Sequence, residues 1–241
     1  MQNIILVCSG KGGVGKTTVT ANLGRSFAEK YSVALLDLDL ACPNLPVILG
    51  MDKVKVTVDL DHYYPEMYEN MQIFSSAFMI PDGVACTWDG STRMRLTKEL
   101  LERIKWDTHE YMFIDFLPGC GDELMAAIQL IPNIAGAVIV TNSTKECISD
   151  VKRLKAMFDN RLINVNILGA VDNMSRMMTG KRTIPLFTDG IDIEAELGIE
   201  VIGTVVKKKP LPVQDFSSIR DRIIELIQLK DENHIEEVIS V

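Results

Sequence analysis

No stretch of this sequence is long and apolar enough to span a bilayer. The best candidate, Ala126 to Val140, is cut by Pro132, Asn133 and Gly136 and falls short of the roughly 20 apolar residues a spanning helix needs. Cysteine is sparse. The five residues are odd in number and widely scattered, which suits free thiols in a reducing compartment, simplest of all the cytoplasm, better than a disulfide framework. Excess positive charge is missing too: 25 Lys and Arg stand against 33 Asp and Glu, a net charge of −8. That balance argues against broad, sequence-independent binding to nucleic acid, where basic surface supplies most of the affinity. Met1 runs at once into apolar residues and then a glycine loop, without the basic region and small-residue cleavage site of a signal peptide, so none is expected. Repeats, low-complexity tracts and interdomain linkers are absent, so residues 1–241 are read as one domain.

What is present is a globular composition, 47% hydrophobic and 24% charged, enough to bury a substantial core. Short β-rich runs alternate with helical patterns, the arrangement of βαβ units feeding a parallel sheet. Strands are expected at 3–8, 32–37, 71–75, 111–115, 135–141, 164–172 and 200–206, and helices at 16–29, 94–104, 122–130, 145–158, 191–197 and 218–229. Most of the strands read as unbroken apolar runs, as they should where helices cover both faces. The expected fold is therefore α/β, a doubly wound, mostly parallel sheet. Residues 52–70, acidic and weakly periodic, are expected to form a surface excursion.

The strongest chemical signal is Gly10-Lys11-Gly12-Gly13-Val14-Gly15-Lys16-Thr17-Thr18, placed directly after the first strand and opening the first helix. This is the context of a Walker A loop. Its glycines let backbone amides converge on phosphate oxygens, and the helix N-terminus adds partial positive charge. Lys16 is expected on the β- and γ-phosphates of ATP, Thr17 on Mg²⁺ and Thr18 on the α-phosphate. A second apolar run delivers Asp37 and Asp39 at alternate positions, so one carboxylate can face the Mg²⁺ shell and the other an attacking water. A third, Tyr111-Met112-Phe113-Ile114-Asp115, carries one aspartate into a loop containing Gly119 and Gly121. This is a Walker B arrangement with Asp115 on Mg²⁺ through water.

The loop resembles the "KGGVGKT" signature of the ParA/MinD superfamily of deviant Walker A ATPases. That resemblance implies that Lys11 reaches a partner subunit's ATP in a homodimer, that Asp39 positions water, and that Asp37 supports the Mg²⁺ site. "LLDLDLACPNLPVILG", "IDFLPGCGDE", Trp88-Asp89-Gly90, "AVIVTNSTKECISDVKR" and "ILGAVDNMS" further resemble the Mrp/ApbC branch of iron–sulfur carriers, from Ile4 to about Pro212. By this likeness Asn173 hydrogen-bonds the adenine.

One departure bears on function. In the Mrp branch a C-x-x-C pair follows the "NMS" element and holds an iron–sulfur cluster between subunits, whereas no cysteine here follows Cys147. Cys42 and Cys120 fall in the two loops expected around the nucleotide. The nitrogenase iron protein, a distant relative by the same resemblance, places a cluster ligand after its second switch, which makes Cys120 a candidate ligand. Cys8 and Cys147 are expected to be buried structural thiols, and Cys86 carries no signal. Three functions are open: an ATP-gated dimeric switch in iron–sulfur or metal-cofactor assembly serving an unidentified client, a MinD/ParA-like positioning or partner-regulating ATPase, or a non-hydrolysing ATP sensor for another enzyme. A MinD-like membrane helix is disfavoured, because Ile219, Ile223, Leu226 and Ile227 form a core-type stripe with an acidic flank. Lys207-Lys208-Lys209 reads as a solvated loop.

Overall fold

A computed structural model describes residues 3–51, 54–80 and 88–239. In chain order its elements are β1 (Asn3–Cys8), α1 (Lys16–Ala28), β2 (Val33–Leu38), α2 (Leu45–Leu49), β3 (Thr57–Val58), β4 (Tyr63–Tyr64), β5 (Glu66–Tyr68), β6 (Met71–Ser75), α3 (Gly90–Arg103), β7 (Tyr111–Phe116), α4 (Asp122–Leu130), β8 (Ile134–Thr141), α5 (Lys145–Phe158), β9 (Ile167–Thr179), β10 (Arg182–Pro185), α6 (Ile193–Leu197), β11 (Val201–Lys207) and α7 (Ser217–Ile239). The main sheet runs β5-β6-β2-β7-β1-β8-β9, with β11 and β10 both pairing β9. Every pairing in it is parallel except β5 on β6 and β10 on β9.

Alternation along the central strands explains the two-sided core. Ile5 and Val7 of β1, Leu35 of β2 and Phe113 of β7 face one cluster, which also holds Val19, Leu23 and Phe27 of α1 and Ile219, Ile223 and Ile227 of α7. Their neighbours Ile4, Leu6, Leu36 and Ile114 face the other, beneath Leu100 of α3, Leu124 of α4, Leu154 of α5 and Leu197 of α6. With side chains of a strand pointing alternately to opposite faces, a sheet covered on both sides must be apolar at every position. The stripe on α7 is thus core-facing, as its spacing implied. No helix among the described residues is long and apolar enough to cross a membrane.

Three regions differ from expectation. Residues 54–70 are not a plain excursion: β3 and β4 form a small antiparallel ribbon, and β5 extends the main sheet as its edge strand. Two- and three-residue strands give no periodicity to read. Second, β9 continues past Asp172 to Thr179 and returns through β10 as a hairpin turning at Gly180 (φ 61°). Third, α3 begins at Gly90 rather than four residues later, because the Asp89 side chain accepts from the Thr92 amide at 2.7 Å and caps it. Cys86 lies outside the described residues.

Candidate functional site

Walker A glycines place the phosphate loop between β1 and α1. Gly13 and Gly15 hold φ of 80° and 84°, values that a side chain disfavours, and a Cβ on Gly15 would run into the Asn173 amide. Gly15 is also the N-cap of α1 and supplies no side-chain acceptor, so the first amides of that helix stay available to an anion. Lys16, Thr17 and Thr18 line a cleft of about 630 Å³, together with Lys11, Gly12, Gly13 and Val14. Gly10 stands just behind it, packed so closely on Asp150 and Val151 of α5 that a Cβ has no room.

Asp115 organises the floor. It sits at the C-terminal end of β7, wholly buried, where Thr17 Oγ1 donates to it at 2.7 Å and Thr20 Oγ1 at 2.9 Å. Lys16 Nζ forms an ion pair with it at 2.7 Å, yet the buried ammonium has no well-aligned hydrogen-bond acceptor. Beside the same cleft, the Ser9 hydroxyl is also buried without a partner. Buried donors normally find acceptors, so these two point to an oxygen-rich ligand. A hydroxyl and a carboxylate in contact, below a ring of amides, form the hard-oxygen donor set that suits Mg²⁺ with a polyphosphate. The residues present therefore fit the nucleotide and metal that the motif implies. Thr20 was not singled out from sequence; its position one helical turn after Lys16 on the buried side of α1 is the only signal it carries.

Two further loops close the cleft. The loop after β2 brings Asp39, Ala41, Cys42 and Asn44 to its wall, and the first turn of α2 adds Val47 and Ile48. Asp39 is half-buried; burial raises its pKa above the usual carboxylate range, opposed by the Cys42 amide, which donates to Oδ1 at 3.0 Å, and by Lys16. The loop after β7 contributes Leu117 and Pro118 and is tied to the phosphate loop where the Gly119 amide donates to the Ser9 carbonyl at 2.7 Å. Lys11 is exposed at the rim.

Asp37 and Asn173 stand apart from the cleft wall. Asp37 is fully buried beneath it, and its oxygens accept from the Asp39 and Leu45 amides and from Ser75 Oγ. Burial first, then the Asp115 carboxylate, pushes its pKa up. Asn173 donates to the Val14 carbonyl at 2.6 Å and so braces the phosphate loop from the β9 side. Cys42 and Cys120 are exposed, Cys8 and Cys147 buried. Among the described residues no cluster of three or more His, Cys, Asp and Glu side chains is arranged to hold a metal ion by itself. Directly after the "NMS" element, the β9–β10 hairpin presents Met178 and Ile184 with Arg176, Lys181 and Arg182, all exposed. Its root is fastened where the Ser143 amide donates to Ser175 Oγ at 2.8 Å and Ser175 donates to Asp172.

Comparison with known proteins places this geometry. A family model described as a ParA-type NUBPL iron-transfer P-loop NTPase matches residues 1–238. An iron–sulfur cluster carrier protein of Methanocaldococcus jannaschii is 30% identical over 255 residues, spanning 96% of this chain and 87% of that protein. Another, from Aquifex aeolicus, is 32% identical over 212 residues, 85% of this chain but 57% of the relative, so the chain spans little more than half that protein's length. Among solved structures, a nucleotide-binding protein from Archaeoglobus fulgidus in complex with ADP aligns with a TM-score of 0.72 at 28% identity, covering 91% of this chain and 88% of that one. The septum site-determining protein MinD of Pyrococcus horikoshii, complexed with Mg-ADP, shares the fold at a TM-score of 0.64 and 23% identity, over 97% and 98% of the two chains. With a nucleotide-type phosphate loop and a match running nearly end to end, the chain belongs to the NUBPL-type iron-transfer P-loop NTPase family.

Proposed function

We propose that residues 1–241 act as one ATPase domain, a Mg-ATP-gated homodimeric switch that hydrolyses slowly and serves iron–sulfur cluster or metal-cofactor assembly. The observation that carries the reading is the convergence of Lys16, Thr17 and Thr20 on Asp115 beneath a glycine loop rich in free amides. In this reading the amides of Gly12, Gly13, Gly15 and Val14 cradle phosphate, Lys16 moves its charge to the β- and γ-phosphates, and Thr18 contacts the α-phosphate. Thr17 and Asp115 hold Mg²⁺, which when bound neutralises charge on the phosphate oxygens. Asp39 orients the attacking water, and Lys11 extends from the rim toward a second subunit's nucleotide. Switch ATPases of this design need a completed site before water is excluded, hence the slow basal rate. Asn173 serves the adenine from beside the loop it braces.

The names of the relatives support iron–sulfur clusters as cargo. A second reading, a partner-regulating ATPase without a cluster, is favoured by the cysteine-free β9–β10 hairpin that follows the "NMS" element. Lys16→Ala is expected to abolish ATP binding in calorimetry, and Asp39→Ala to retain binding but lose phosphate release. Wild-type affinity in the first variant would overturn the site; a colourless, iron-free protein after anaerobic reconstitution would decide for the second reading.

A further inference from the structure

The C-terminal end of the sheet carries a row of polar residues in strict register: Asp115 on β7 lies opposite Asp37 on β2, and Asp37 opposite Ser75 on β6. All three are fully buried. Asp115 belongs to the cleft floor, but neither Asp37 nor Ser75 lines the cleft. We propose that Ser75 and Asp37 form a buried clamp that positions Asp39, making both positioning residues for hydrolysis. The inference rests on the reading of Asp39 as the water-orienting carboxylate.

The clamp grips the segment carrying Asp39 at both ends. Asp37 Oδ1 accepts from the Asp39 amide at 3.0 Å, and Oδ2 accepts from the Leu45 amide at 3.1 Å. Leu45 opens α2, whose N-cap residue Asn44 makes no side-chain capping bond and instead donates its side-chain amide to the Cys42 carbonyl at 2.8 Å, so Asp37 takes over the capping from the strand beneath. Between those anchors lie Ala41, Cys42 and Asn44 on the cleft wall, and the Cys42 amide donates back to Asp39 Oδ1 at 3.0 Å. The direction of the Ser75 bond is set as well. Its hydroxyl oxygen accepts from the Ala77 amide at 3.1 Å, leaving its proton for Asp37 Oδ2 at 2.9 Å. With Asp115 directly alongside, a carboxylate at position 37 needs each of these donors, because an unpaired buried charge beside a like charge is strongly disfavoured. Ser75 thus acts on Asp39 through Asp37 without touching nucleotide.

The test compares the full-length wild type with Ser75→Ala, Ser75→Thr and Asp39→Ala in steady-state phosphate release, affinity for a fluorescent ADP analogue with Mg²⁺, and thermal melting. Losing one hydrogen bond to a charged group is expected to lower kcat about tenfold in Ser75→Ala while the ADP affinity and KM stay within about twofold. Ser75→Thr, which keeps the hydroxyl, should recover most of that rate. A merely structural Ser75 would lower the melting temperature without separating kcat from KM. Wild-type kcat in Ser75→Ala, with Asp39→Ala inactive, overturns the clamp alone. Undiminished turnover in Asp39→Ala overturns the reading of Asp39 and the clamp with it.

Discussion

Replacing Asp115 by alanine tests the floor of the site without any assumption about turnover. In the wild type this carboxylate is 0% exposed and receives Lys16 Nζ at 2.7 Å, Thr17 Oγ1 at 2.7 Å and Thr20 Oγ1 at 2.9 Å. Asp115→Ala strands an ammonium that is only 6% exposed and removes the acceptor of the Thr17 hydroxyl, while Thr20 keeps the Lys16 carbonyl at 3.1 Å. Breaking a buried ion pair from one side costs about 3–5 kcal/mol, mostly the penalty of the remaining unpaired charge. Against a total of roughly 5–15 kcal/mol for a natural domain, the variant is expected to fold but to unfold at markedly lower urea. The double variant Lys16→Met, Asp115→Leu removes the charge along with its partner, and should recover more than half of that loss. Both measurements are made by urea denaturation with chelator and without nucleotide, so ligand linkage does not enter. A loss below about 1 kcal/mol in Asp115→Ala, or a double variant less stable than the single one, would refute the buried-pair account.

Thiol reactivity should separate the cysteines. Burial pushes the Cys8 thiol up to about 12, so iodoacetamide at about pH 8 should spare it in the native state, while exposed Cys42 reacts and Mg-ATP slows that reaction; peptide mass spectrometry reads both, and native labelling of Cys8 would contradict its burial. His109, buried with Nε2 2.7 Å from Gln72 Oε1, has its pKa lowered by burial below the ordinary 6.5. The unfolded chain then binds the extra proton first, so this contribution to stability is present above pH 6.5 and is lost as the pH falls from there through the lower folded-state pKa. Urea midpoints should therefore decline across that range less steeply in His109→Gln than in the wild type. For the dimer, Asp39→Ala with Mg-ATP is expected to raise the dimer fraction in analytical ultracentrifugation, and adding Lys11→Ala to return it toward monomer with nucleotide binding intact. A dimer indifferent to both ATP and Lys11 would remove the trans role of that lysine.

Features that depend on neighbours in the chain were legible in the amino-acid sequence. The glycine loop between an apolar run and a helix, the aspartate next to the end of Tyr111–Phe116 and the unbroken apolar strands all follow from local spacing, and the parallel sheet follows from their alternation with helices. Even the stripe on α7 announced its core face, since helical periodicity alone marks one side. Strand pairing decided the rest. Nothing local to Asp37 says that Ser75, 38 residues away, donates to it, or that register sets it beside Asp115. Asn173 reaches Val14 across 159 residues because β9 lies two strands from β1 in the sheet. The hairpin of β9 and β10 formed where a polar, methionine-bearing segment showed no alternation, since a short exposed ribbon needs only a turn and one paired strand, not a buried face. Sequence thus determined which chemistry the chain carries and the elements that bear it; tertiary structure decided which carboxylate faces the cleft and which is held beneath it, because side-chain direction at a strand end depends on the partners that long-range pairing brings there.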